Sequence, residues 1–191
     1  PTGSGKSHLV KAFSDSLRLD DPTVMALLTE PVTVNEARPC LPFLRLLRRA
    51  LRLPPGAQQG DREAQELSRY LPPSATETLL QTLDPEFDGI TPSAVPLALS
   101  DWITALSGER RVIIFLDDAH LADEGSLTVA HRVVEELEHT PIFFIIGLDS
   151  TKKPHRAAPL ERLIARAKAH TPYEALSLKP LDQDAVLAFV R

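Results

Sequence analysis

Between Arg111 and Asp117 the chain reads Arg-Val-Ile-Ile-Phe-Leu-Asp, a run of bulky apolar residues with no polar position until the acid that closes it. A strand with one face in water alternates apolar and polar residues; this run does not. It predicts a strand buried on both faces, the kind found in parallel sheets covered by helices. That run restricts the fold class more than any other feature. Pro141 to Leu148 (PIFFIIGL) repeats it, and Thr23 to Thr29 (TVMALLT) is a shorter version. Helical spacing separates these runs. Leu9, Val10, Phe13 and Leu17 follow Lys6, and Asp20-Asp21-Pro22 ends that helix, because the residue before proline is pushed out of the α region. Further helices are predicted at Phe43 to Leu53, Glu63 to Leu71, Ala75 to Leu83, Ala94 to Leu106, Glu124 to Glu138 and Pro159 to Ala169. Tyr173 to Leu178 reads as a weaker strand, and Asp182 opens a final helix. Alternating strands and helices predict a parallel sheet with helices on both faces.

The N-terminal stretch Pro1-Thr2-Gly3-Ser4-Gly5-Lys6-Ser7 matches positions two to eight of G-x-x-x-x-G-K-[ST]; the leading glycine would fall before Pro1. Glycines let successive backbone N–H groups converge on an anion. The helix that begins near Lys6 turns its positive dipole end toward the same point. Lys6 can reach the β- and γ-phosphates, and Ser7 can ligate Mg²⁺. Thr2, Gly3, Ser4, Gly5, Lys6, Ser7 and His8 are therefore the candidate nucleotide-binding residues. The plain alternative is a glycine-rich turn before a helix. The pair Asp117-Asp118, at the end of the apolar run, weighs against that alternative. A buried strand delivers a carboxylate to the carboxyl end of the sheet, where open α/β sheets bind ligands. Asp117 is the candidate metal ligand with Ser7. Asp118 is the candidate catalytic residue with Lys6, orienting or deprotonating the attacking water. His120 and Asp123 follow; Asp123 reads most simply as a helix cap and His120 as a polar loop residue.

A third polar site is predicted where the run Ile142 to Leu148 ends in Asp149-Ser150-Thr151. Any of the three is a candidate γ-phosphate sensor, against the plain reading of a capped strand end. Arg156, Arg162 and Arg166 follow and read as a solvated helix face. The remaining histidines have no metal-ligand spacing, and Cys40, the one cysteine, cannot form an internal disulfide. Net charge is −5, which disfavours a free-standing nucleic-acid binder. The lone cysteine makes a reducing cytoplasm the expected setting, and no apolar run is long enough to span a bilayer. Charged residues at 25% and apolar residues at 43% are those of a globular chain. Proline, at 17 residues, is well above the average share of about 5% and clusters in the loops between residues 31 and 96.

Taken in order, PTGSGKS, ARPCLPFLRLLRRAL, RRVIIFLDDAHLADEGSL, PIFFIIGLDST and LSLKPLDQDAV resemble the ATPase module of AAA-type STAND proteins, signal-transduction ATPases with numerous domains, often described as origin-recognition-like. The resemblance covers nearly the whole chain. It implies a three-layer α/β/α P-loop NTPase fold of the ASCE/AAA type. Residues 1–181 would form the core, with a helical insert at about 54–107 between the second strand and the Walker B strand, and 182–191 would start a C-terminal helical lid. It implies ATP and Mg²⁺ as ligands, a switch that hydrolyses ATP slowly, flanking domains of the same chain as partners, and a homo-oligomer as one mode of assembly. Nucleic acid would be met only through other domains. The sequence departs from the family at Leu121, where an aromatic is usual, and at Leu148-Asp149-Ser150, where an arginine is usual. The alternatives are a nucleotide-binding scaffold without turnover and an origin-recognition-like DNA-associated ATPase. A P-loop kinase is disfavoured, because no arginine-rich lid is evident. The motif order also predicts that the strand feeding the loop precedes Pro1. On that expectation residues 1–191 are a slice of a longer protein and, expressed alone, poorly soluble.

Overall fold

The computed structural model describes residues 5–30, 39–53, 60–84 and 93–179. Twelve elements follow one another: α1 (Lys6–Asp20), β1 (Met25–Leu28), α2 (Leu41–Ala50), α3 (Asp61–Ser68), α4 (Pro73–Leu83), α5 (Ala94–Ser107), β2 (Val112–Leu116), a 3-10 turn (Ala119–Leu121), α6 (Glu124–Glu136), a second 3-10 turn (Leu137–His139), β3 (Ile142–Ile146) and α7 (Ala157–His170). The strands form a parallel sheet in the order β1-β2-β3. Met25 lies opposite Val112, and Val112 opposite Ile142, so one register runs across the sheet.

The apolar run of β2 is fully buried, as its composition predicts. Its side chains alternate between two cores. Val112, Ile114 and Leu116 join Leu27 and the apolar faces of α2 to α7 in one cluster. Ile113 and Phe115 are equally buried but lie outside that cluster, on the opposite face of the sheet. On that second face Phe13 of α1 meets Phe143 of β3, ring centroids 5.9 Å apart. The layers are thus helix, sheet and helices, with the cover unevenly divided. The mixed α/β architecture with a three-stranded parallel sheet is that of a P-loop NTPase-like fold. Within the thick layer α5 packs between α4 and α6. It carries buried residues all round, Trp102 and Ile103 among them, as expected for a helix apolar on every side.

Several expectations need correction. The run Pro141 to Leu148 supplies a strand only over Ile142–Ile146, and it is not buried on both faces: Phe143 is 56% exposed. Among the described residues β3 is an edge strand, and α1 covers its outward face only in part. For the same reason Leu9 and Phe13 stay about two-fifths exposed, and α1 buries only Val10 and Ser14. Residues 173–178 form no regular element and pair with no strand among the described residues, and Leu176 is 76% exposed. A sequence with strand character stays out of the ladder when no neighbouring edge reaches it. Helix α2 starts at Leu41, two residues before the predicted Phe43, because Pro42 is suited to a helical first turn. The helix expected from Asp182, and with it the lid at 182–191, lies outside the described residues.

Candidate functional site

Gly5 opens α1 in the left-handed region (φ 81°), a conformation glycine adopts without penalty. Its carbonyl already accepts the Leu9 N–H at 2.8 Å, so the helix is wound from its first residue. Lys6, Ser7 and His8 occupy the first turn, where backbone N–H groups have no partner within the helix. Ser7 and His8 are exposed and Lys6 is half-buried. Thr2, Gly3 and Ser4 lie outside the described residues.

Across the chain, the end of β2 meets this turn. The Ser7 hydroxyl donates to Asp117 Oδ2, joining residues 110 positions apart. The Asp117 carboxylate is only 7% exposed, and its other oxygen accepts the Asp118 N–H at 2.9 Å. Its own N–H donates to the Thr29 hydroxyl at 2.9 Å. Strand β1 thus ends in a side chain that fixes the backbone at the end of β2. A hydroxyl and a carboxylate oxygen held side by side are hard donors of the kind Mg²⁺ takes. Among the described residues no group of three or more His, Cys, Asp or Glu side chains comes together as a metal cage. Mg²⁺ is commonly held in this sparser way, with phosphates and waters completing its shell, so the residues present fit that ion.

Asp118 adopts φ 45°, ψ 44°, an unusual state for a side-chain-bearing residue. This turns the chain sharply into the 3-10 turn and leaves the Asp118 carboxylate part-exposed, 3.8 Å from His120 Nδ1. His120 is 1% exposed, and neither ring nitrogen has a hydrogen-bond partner among the described residues. Asp123 caps α6, as its position predicts: Oδ1 accepts the Ser126 N–H at 3.0 Å and Oδ2 the Ser126 hydroxyl at 2.6 Å. The same Oδ1 also accepts the Cys40 N–H at 3.0 Å, which ties the entry of α2 to the entry of α6. Burial pushes the Cys40 thiol up, and the Asp123 charge adds to the shift.

The three candidate sensor residues follow β3 and differ in exposure. Asp149 is 3% exposed; its Oδ1 accepts the Thr151 hydroxyl at 2.7 Å and the Thr151 N–H at 3.0 Å, and Lys152 Nζ stands 3.9 Å from its Oδ2. The two bonds from Thr151 hold it well below the usual carboxylate range. Ser150 and Thr151 are exposed. The residue of this loop that reaches Asp117 is Gly147. A Cβ there would stand 2.9 Å from Asp117 Oδ1 and 2.9 Å from Phe115 Cε2. The sequence reading missed Thr29, the burial of His120, and Gly147. A threonine at a strand end and a glycine just past one are weak signals, and neither names its partner.

A helix start, a serine hydroxyl and a strand-end aspartate converge at the carboxyl end of the parallel sheet, in keeping with a P-loop NTPase-like fold. The chain belongs to the AAA ATPase domain family, which it matches over residues 1–145. No curated protein and no solved structure matches it. No helix among the described residues is long and apolar enough to cross a membrane.

Proposed function

We propose that this chain is the ATP-binding switch of a larger multidomain signalling protein of the AAA-type STAND class, Mg²⁺-dependent and slow in hydrolysis. The contact between Ser7 and Asp117 carries the reading. Lys6 and the first-turn N–H groups of α1 would hold the β- and γ-phosphates, together with Thr2, Gly3 and Ser4 before them and His8 after. Ser7 and Asp117 would hold Mg²⁺, which when bound neutralises charge on the phosphate oxygens. Asp118, part-exposed beside this pair, would orient the attacking water and take its proton. Its carboxylate sits one methylene closer to the backbone than a glutamate would, which favours slow turnover. Asp149, held as an anion two residues past Gly147, favours it too, since a negative group there does nothing to stabilise charge on a γ-phosphoryl. Those two observations also support the second reading, a nucleotide-binding scaffold without turnover. Flanking domains would read the nucleotide state, with self-association as a second output. The fully buried thiol of Cys40 suits a cytoplasmic setting. The net charge of −5 leaves DNA contacts to other domains.

The test is ATP binding and hydrolysis by the parent, Lys6→Ala and Asp118→Asn. Loss of the Lys6 ammonium removes charge-assisted bonds of about 1.5–3 kcal/mol, a fall in affinity of about 10- to 100-fold. Asp118→Asn is expected to bind ATP as the parent does and to hydrolyse it far more slowly. Unchanged ATP affinity in Lys6→Ala refutes the nucleotide reading. Binding with background turnover in the parent selects the scaffold.

A further inference from the structure

A cavity of about 810 Å³ runs along the outer edge of β1, between α1 and α2, and includes neither Ser7 nor Asp117 in its lining. Two features of its walls point to a ligand. The first is a strand edge with no partner strand among the described residues. Met25 donates its N–H to Arg111 O and Thr29 donates to Phe115 O, both at 2.9 Å, so this alternate set of residues is bonded to β2. In a parallel ladder the residues between them direct both backbone groups the other way. Ala26 and Leu28 therefore present their N–H and C=O groups to the cavity. An exposed edge of this sort is a template for an added strand. The Leu28 carbonyl is at present capped by the Arg49 guanidinium, which a second backbone can displace.

The second feature is charge. Lys11, Arg18, Arg49, Arg52 and Arg110 line the cavity, against Asp15 and Glu109. This positive excess sits on a chain whose net charge is −5. Arg49 is engaged with Glu30 and Arg110 with Glu109. Lys11, Arg18 and Arg52 form no ion pair among the described residues. Arg52 is held at φ 57° in the turn that ends α2, a costly conformation for a long side chain. Charge alone would suit any polyanion. The backbone donors and acceptors of Ala26 and Leu28, lying in a row, single out an extended polypeptide.

We propose that the groove along β1 binds an extended acidic peptide, which adds a strand to the sheet through Ala26 and Leu28 and places its carboxylates against Lys11, Arg18 and Arg52. Main-chain pairing would give the register and the cations the selectivity. The site is separate from the nucleotide site and does not depend on the reading given for it.

A fluorescent peptide of alternating glutamate and valine tests this, with a lysine-valine peptide and a short oligothymidylate as comparisons. The acidic peptide is expected to bind and to weaken about tenfold or more as salt rises and screens the groove. Arg18→Glu with Arg52→Glu is expected to lose about tenfold or more in affinity, as reversed charges face the same carboxylates. Ala26→Pro removes an outward N–H without touching a bond to β2 and should lose the peptide while circular dichroism stays that of the parent. If that variant does not fold, amide exchange in the parent decides: the peptide should slow exchange at Ala26 and Leu28. Lys6→Ala should leave peptide binding unchanged. An oligothymidylate bound as tightly as the peptide overturns the proposal. So does peptide binding that ignores Ala26→Pro and leaves Ala26 exchange unaltered, and so does no binding at all.

Discussion

Replacing Gly147 with alanine adds one methyl group at the point where β3 leans on the end of β2. Its backbone cannot yield. The Gly147 N–H is bonded to Leu116 O at 2.9 Å and its carbonyl to the Ala119 N–H at 2.9 Å. The new carbon would lie 2.9 Å from Asp117 Oδ1 and 2.9 and 3.1 Å from Cε2 and Cζ of Phe115, which is 2% exposed and has nowhere to go. Overpacking of a dense interior costs about 1–3 kcal/mol. Moving Asp117 also strains the bond its Oδ1 accepts from the Asp118 N–H, worth about 1 kcal/mol. A loss of about 2–4 kcal/mol is expected in urea unfolding at unchanged m-value, with weakened Mg²⁺-dependent nucleotide binding. Gly5→Ala makes the contrast. Its Cβ would meet nothing within 4 Å, and its cost comes from φ 81°, about 1–2 kcal/mol. A Gly147→Ala variant within about 0.5 kcal/mol of the parent and with unaltered Mg²⁺–ATP affinity would refute the steric argument.

Three further outcomes follow from single contacts. Asp123→Ala removes the cap of α6 and the partner of the Cys40 N–H, so a loss of about 2–3 kcal/mol is expected by chemical denaturation; a loss below about 1 kcal/mol would mean that water replaces both bonds. His120→Met removes a buried imidazole whose nitrogens find no hydrogen-bond partner among the described residues and should raise stability by about 1 kcal/mol; a marked fall would show that the ring is paired with Asp118 after all. The raised Cys40 thiol is neutral in the folded state. Its contribution is complete below the unfolded thiol value of about 8.5 and falls away as pH rises beyond it. Stability should therefore decline above that pH and Cys40 should resist alkylation until unfolding; ready modification of the native protein at alkaline pH would contradict this.

What the sequence discloses is what neighbouring residues decide among themselves. Val112 to Leu116 is a legible strand because every residue in it demands burial, and Asp123 is a legible cap because its partner, Ser126, is three residues away. The meeting of Ser7 with Asp117 could be expected, since the two motifs are each compact. The roles of Thr29 and Gly147 could not. Thr29 acts on a backbone 88 residues along the chain, and Gly147 matters only because Asp117 and Phe115 press against it. The exposed side of α1 was illegible for a related reason. Leu9 and Phe13 have helical spacing, but spacing does not say how much sheet lies underneath. Strand character at 173–178 likewise says nothing of whether an edge is available to pair with.

The connection between β1 and β2 has a consequence for how this molecule comes apart. Leu28 and Val112 are separated by all of α2 to α5, yet among the described residues Met25 to Leu28 pairs with the sheet on one side only. Helices α3 and α4 pack mainly on their sequence neighbours, and α5 on α4 and on α6 beyond β2. The four-residue strand β1 must be carried back across that whole detour before its first bond forms, and pays the entropy of closing it. It is expected to dock last and leave first. Proteases and exchanging solvent should therefore find the β1 end of the domain open while β2 is still locked between its two layers.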